Sequence, residues 1–465
     1  MTATTADSAD GSAPANPANP ASPAGCSTKP APAPASSTSM IASWFLWSWG
    51  NASVSAVMVT FVFGTYLASD VFGADERGTQ WLTSANAIAG IIIAVTAPVI
   101  GQRADKTGRR RLWLIVHTLL VIGLMAACFF VRPEPGFLLL GVSLLAALTL
   151  FDEFANLNYN AMIVDIAREG NMGRISGIGW GFGYLGGIGL LMLVYLSLIA
   201  GETPHIFGIG EDEALNIRAV AVVSAAWFLI FALPLLLHKE KTADKNTIEH
   251  VSIAQSYRRL LAVIVRLWRD DRNTFWFLVS SAIYRDGLSA VFAYGAILGT
   301  TLYGISSANV IIFGIAGNVI SALGAFLGGW LDDRLGPKFV ISASLWALLA
   351  TAVVLLIFSE ERGPITPTLA FWIFGLGLCL FVGPAQASSR GFIGRIAPPE
   401  KAGELFGLYA TAGRSVSFLA PVMISIFLAL LGNNIAIILA IATILAVGLA
   451  LLYKVDNPRE HARVV

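Results

Sequence analysis

Gly101-Gln-Arg-Ala-Asp105-Lys-Thr-Gly108-Arg109-Arg110 and Gly329-Trp-Leu-Asp332-Asp333-Arg334-Leu-Gly336-Pro337-Lys338 are near copies of one another, each set beside long apolar runs and offset by 228 residues, about half the chain. A second echo supports the first: Ile166-Ala167, Gly173 and Gly177 recur as Ile396-Ala397, Gly403 and Gly407, at an offset of 230. Two echoes at nearly one offset point to a duplicated unit, and duplicated membrane bundles bind small solutes between their halves.

Working outward, the flanking sequence is written for lipid. Hydrophobic residues make up 56% of the chain and charged residues 13%, with a mean hydropathy of +0.71, where a soluble domain carries roughly 25% charged residues. Crossing the ~30 Å hydrocarbon layer takes about 20 helical residues. Apolar segments of that length are predicted at Ile41 to Ser69, Thr79 to Ile100, Leu112 to Val131, Phe137 to Val164, Ile175 to Ala200 and Asn216 to His238. After a polar, basic stretch, a second set runs Thr274 to Thr300, Ala308 to Leu331, Phe339 to Phe358, Thr366 to Ser389, Gly403 to Leu428 and Asn433 to Tyr453. The expected fold is an all-α membrane protein of twelve transmembrane helices in two pseudo-symmetric six-helix bundles. Residues 41–238 form the first bundle, 239–273 a cytoplasmic linker and 274–453 the second bundle, with tails at 1–40 and 454–465.

Residues 1–39 are Ala, Pro, Ser and Thr with almost no large apolar side chain, a composition that cannot offset the entropy of ordering and predicts a disordered tail. The tail lacks the basic start and apolar core of a signal peptide, so the first apolar helix is expected to stay. Of the 30 Lys and Arg, this placement puts 24 on the side of the amino terminus. Short basic loops stay in the cytoplasm, which predicts cytoplasmic termini; short loops and the lack of a targeting signal make a bacterial inner membrane the expectation, with a fungal vacuolar membrane as the alternative. The linker holds Lys239, Lys241, Lys245, Arg258, Arg259, Arg266, Arg269 and Arg272, and Ile253 to Trp268 reads as an amphipathic surface helix.

Net charge is +1, so no global field argues for a nucleic-acid partner. Cys26, Cys128 and Cys379 are scattered and the five His form no cluster. Neither a disulfide framework, a metal site nor another cofactor is expected. No nucleophile, base and orienting group fall in a recognisable arrangement, which disfavours an enzyme.

Charges inside the spans carry the functional reading. Asp152 and Glu153 fall mid-span in the fourth segment, Arg285 and Asp286 in the seventh and Arg414 in the eleventh. Each would cost about 2.5 to 3.5 kcal/mol facing lipid at that depth, so they are expected to face protein or a watered cavity. Asp152, Asn156 and Asn160 are spaced by four and share one helix face. Adjacent carboxyls in a low-dielectric site seldom both ionise, making Asp152 or Glu153 a candidate proton carrier. The competing expectation is a structural ion pair of either one with Arg285 or Arg414. Arg285 itself either holds a solute carboxylate in a bidentate contact or pairs with Asp286. The glycine run of the fifth segment reads as close helix packing.

Gly101, Asp105, Gly108 and Arg109, with Gly329, Asp333, Arg334 and Gly336, resemble the loop motif of the major facilitator superfamily. The resemblance implies twelve helices, alternating access, and helices one, four, seven and ten lining the cavity, where Asn51, Asp152, Asp286 and Gln386 fall. More narrowly, several segments resemble the branch of the autophagy-related vacuolar amino-acid effluxers and their bacterial relatives. These are Trp49-Gly50-Asn51, Tyr159-Asn160-Ala161-Met162 with Asp165-Ile166-Ala167, Gly177-Ile178-Gly179-Trp180 with Gly183 to Gly187, Tyr284-Arg285-Asp286-Gly287, and Gln386 to Arg390. Ser48 and Arg285 depart from the Asp and Asn common there, so solute or coupling ion is open to difference. The resemblance implies a monomeric secondary transporter of a small polar solute, an amino acid for choice and with protons as the candidate coupling ion. A sugar or other organic solute porter is the alternative, and a non-transporting receptor or scaffold is the alternative of another class.

Overall fold

The computed structural model describes residues 37–73, 77–168, 170–200, 203–238, 253–360 and 365–458. The tail expected over 1–40 lies outside them except at its end, where Ser37 accepts a hydrogen bond from the Met40 N–H and a helix starts at Thr38. The first half comprises α1 (Thr38–Leu67), α2 (Arg77–Lys106), α3 (Arg110–Phe130), α4 (Pro135–Ile166), α5 (Met172–Ile199) and α6 (Asp212–Leu237). The second comprises α7 (Arg272–Thr301), α8 (Ser307–Leu335), α9 (Pro337–Ile357), α10 (Pro367–Ile396), α11 (Pro399–Leu431) and α12 (Ile435–Leu452). Eleven of these are long and apolar enough to cross a membrane by length and composition. The other is α7, a 30-residue helix with Arg285 and Asp286 at its middle.

Chain chemistry sets the helix starts. Asp271, Ser306 and Thr366 each accept an N–H from the first turn of α7, α8 and α10, supplying the partner that an unpaired helix donor lacks. Gly336, at φ +88°, turns the chain so that Pro337 begins α9, where a missing N–H costs nothing.

The helices outrun the apolar segments. The repeated motif, expected as a loop, is largely the last turn of α2 and of α8, and the first turn of chain is Thr107–Arg109, with Gly108 at φ +58°. A 30-residue helix is about 45 Å long, enough to carry its polar end through the headgroup layer, where ion pairs and water satisfy it. Of the linker, residues 239–252 lie outside the described residues; Ile253–Asp270 is a helix with Ile264, Val265, Arg266, Trp268 and Arg269 exposed. Its Tyr257 hydroxyl donates to the Val95 carbonyl of α2 at 3.2 Å.

Within the first half α1 packs on α5 and α6, and α4 on α2 and α3; within the second α10 packs on α8 and α9, and α12 on α7, α9 and α11. The halves meet through α2 with α11, α4 with α11, and α5 with α8 and α10.

Candidate functional site

Glycine makes the seams between halves. Gly101 of α2 lies against the Gly403 backbone of α11, and Gly173 and Gly177 of α5 lie against Gly329 of α8, so close that a Cβ on any of them would strike backbone. Gly181 is covered by Phe326. Bare backbone at these positions lets whole helices touch, as the run in α5 predicts. The α2–α11 seam continues toward the membrane centre through Gly407 on Pro98 and the Thr411 hydroxyl on the Ala94 carbonyl at 3.0 Å. Farther on, Trp81, Ile88 and Ile91 of α2 and Phe418 and Val422 of α11 are exposed. The contact therefore lies at the end that carries the amino terminus.

Each seam is latched by the aspartate of the repeated motif. Asp105 accepts the Gly403 N–H at 3.0 Å and the Glu404 N–H at 2.8 Å, capping α11. Asp333 accepts the Gly173 N–H at 2.7 Å and the Arg174 N–H at 3.1 Å, capping α5. A carboxylate on the first N–H groups of a helix satisfies orphan donors and meets the positive end of the helix dipole. The surrounding charges differ between halves. Arg110 reaches Asp105 and Asp165, both at 2.7 Å, and donates to the Pro399 carbonyl at 2.9 Å. Arg395 reaches Asp332 at 2.6 Å and Asp333 at 3.4 Å, and Arg174 reaches Asp333 at 2.9 Å. Of the other motif residues, Arg109 precedes α3 and Arg334 stacks on the Trp330 ring, 3.8 Å from its centroid.

Beyond the seams sits a charged cluster. Glu153 of α4 pairs with Arg414 of α11 at 2.8 Å, an ion pair between halves whose side chains keep 25% and 35% of their surface exposed. Asp152 accepts from the Asn51 side chain of α1 and, at 3.1 Å, from Asn156. Arg285 of α7 sits over the Tyr409 ring, its Cζ 3.9 Å from the centroid, and within electrostatic range of Glu153. Asn51, Asp152, Glu153, Asn156, Arg285 and Arg414 thus come from four helices to one place.

Four sequence-predicted residues lie elsewhere. Tyr284 is wholly buried, with its hydroxyl 2.6 Å from Ser389 inside the second half. Asp286 neither joins Asp152 nor pairs with Arg285. It accepts the Ala420 N–H at 2.8 Å, because α11 breaks at Val416–Phe418 and its outer segment needs a cap. Gln386 is buried, with its Oε1 lacking a partner. Asn160 accepts from Arg390 at 3.1 Å.

Sequence reasoning counted Arg390 in the resemblance but gave it no site role. Ending the tenth segment at Ser389 put this arginine outside the membrane, whereas α10 continues to Ile396 and buries it. Tracking arginines just past a span's apparent end would have found it. Trp49 packs on Phe182, Trp227 and Phe231.

Two six-helix halves seamed at one end, with charges from four helices gathered beyond the seams, form an arrangement of the major facilitator type, and similarity to known proteins agrees. Residues 70–464 match the family model described as vacuole effluxer Atg22 like, and the chain belongs to that family. It is 26% identical over 417 residues to the uncharacterised MFS-type transporter YxiO of Bacillus subtilis, covering 88% of this chain and 93% of that one. It is 25% identical over 313 residues to autophagy-related protein 22-1 of Neosartorya fischeri, 62% of this chain but 49% of that longer protein. Among solved structures it resembles the major facilitator transporter FucP in the outward conformation, with a TM-score of 0.65, 17% identity and 90% and 97% of the two chains covered. It also resembles the proton:xylose symporter XylE bound to 6-bromo-6-deoxy-D-glucose, with a TM-score of 0.68, 12% identity and coverage of 90% and 95%. These likenesses show the twelve-helix fold.

Proposed function

We propose that the chain carries a small polar solute, an amino acid for choice, across the membrane by rocking its halves about the charged cluster. The supporting observation is the Glu153–Arg414 pair, made between halves at the inner limit of the α2–α11 seam and beside Arg285, a guanidinium placed to take a carboxylate. A solute carboxylate on Arg285 would compete with Glu153 for positive charge, so binding and release of the halves become linked.

Asp152 is the proposed proton carrier. Asn51 and Asn156 both present N–H groups to it, and a proton on the carboxyl would cost one of these acceptors and weaken the hold of α4 on Asn51 of α1. The basic residues gather at the latched end, so the termini and that end are assigned to the cytoplasm, in a bacterial inner membrane.

The test is flux of radiolabelled amino acids and sugars in proteoliposomes, with and without a pH gradient, for native protein and Glu153→Gln, Asp152→Asn and Arg285→Gln. Amino-acid flux lost in the Arg285 variant, with gradient dependence lost in the Asp152 variant, supports the reading. Flux of no solute, or equal flux in all four proteins, overturns it.

A further inference from the structure

Arg390 is a guanidinium with 5% of its surface exposed, and its hydrogen-bond and ring partners among the described residues all belong to the opposite half. Its Nε donates to the Ser176 hydroxyl at 3.0 Å, its Nη2 to the Ser176 carbonyl at 2.6 Å and its Nη1 to the Asn160 side chain at 3.1 Å. The rings of Trp44, Tyr159 and Trp180 surround it at 4.9, 5.9 and 5.6 Å. Arg110, Arg395 and Arg414 each have a carboxylate. Among the described ion pairs none includes Arg390; neutral acceptors and π faces stand in for the counter-ion.

Two polar atoms beside it are idle. The Gln386 Oε1, one helical turn away on the same face of α10, and the Trp180 indole N–H are both buried without a partner. A buried polar group left unpaired costs free energy, so the closed arrangement around Arg390 carries a cost that water entering on opening relieves.

When the halves part at the latched end, α10 leaves α4 and α5, and Arg390 loses its three acceptors and its aromatic cage together. A guanidinium without a counter-ion would then face the opening between the halves, where low-dielectric walls would concentrate anions.

We propose that Arg390 forms a carboxylate-binding site that exists only when the latched end is open, and that the transported solute carries a carboxylate it hands from Arg285 to Arg390. This rests on the alternating-access reading. A carboxylate fits the planar fork of Arg390 in a bidentate contact.

Acetate is the smallest probe, titrated at constant ionic strength against chloride into the purified full chain in lipid nanodiscs, with binding read by calorimetry. Two independent backgrounds open the latched end: Asp105→Asn with Asp333→Asn, and the steric wedge Gly177→Trp. Acetate should bind saturably in an opened background, at least tenfold more weakly after Arg390→Gln is added, and with intermediate affinity for Arg390→Lys. The native, latched chain should show no Arg390-dependent binding. Equal acetate binding with and without Arg390→Gln in the opened background overturns the proposal, as does Arg390-dependent binding in the latched chain, or chloride displacing acetate one for one. The wedge keeps the test available if the double latch variant fails to fold. Amino-acid flux is a separate measurement, so its absence would count against the transport reading while leaving the acetate result standing.

Discussion

Asp105 and Asp333 occupy equivalent posts in the two halves, each accepting two backbone N–H groups from the first turn of a helix in the opposite half. The repeated motif is thus a pair of reciprocal caps, and the duplication read from sequence is also the symmetry of the closed end. Each cap is a contact the halves must give up to part.

Neutralising a cap should loosen the seam while leaving the fold in place. Losing such a cap costs about 1 to 2 kcal/mol, a factor of roughly 5 to 30 in an equilibrium. With Cys26, Cys128 and Cys379 replaced, a cysteine substituted for buried Ala325 at the α5–α8 seam should label faster by about that factor in Asp333→Asn. An unchanged labelling rate would remove the latch role.

Side chains added to the seam glycines should act where backbone meets backbone. Gly329→Ala, whose Cβ would strike the Gly173 backbone, is expected to reduce flux at least tenfold with normal yield. Gly123→Ala is the control, since its Cβ would meet nothing within 4 Å. Thermal melts and flux of the two variants separate blocked closure from general damage; equal flux would contradict it.

Glu153 and Arg414 should show coupling. Removing one partner of an ion pair strands the other charge, at about 3 to 5 kcal/mol when fully buried and less here because both side chains keep partial exposure. The double variant Glu153→Gln with Arg414→Gln should melt higher than either single variant, with a coupling energy of roughly 0.5 to 3 kcal/mol. Strict additivity would show that the pair is incidental.

Asp286 should matter to stability more than to solute choice. Asp286→Asn loses the charged acceptor at Ala420, and a loss of about 1 kcal/mol is expected. The melting temperature should fall while the order of preference across the solute panel is kept; a changed order would return Asp286 to the solute site.

The parts of the fold that follow from solvent were legible in the sequence. Apolar length placed the helices, the motif echo gave the duplication, and charges too costly for lipid marked Asp152, Glu153, Arg285 and Arg414 as inward-facing. What stayed hidden depends on three-dimensional accidents of helix geometry. The break at Val416–Phe418 turns Asp286 into a cap, and no local composition announces it. Tyr284 shares a motif with Arg285, yet one residue of helix rotation, about 100°, aims it at Ser389 instead. Arg390, quoted in the resemblance, was given no site role because polar residues at a helix end read as loop, although a helix sheltered by the other half can bury them.

Opening and closing at the latched end is the movement on which the functional reading depends. Spin labels at exposed Arg168 and Lys401, one in each half beside the seams, report it by double electron–electron resonance. Two distance populations are expected, with the longer one enriched when Asp105→Asn and Asp333→Asn are combined. One unmoving population in both proteins would mean that the halves do not rock there.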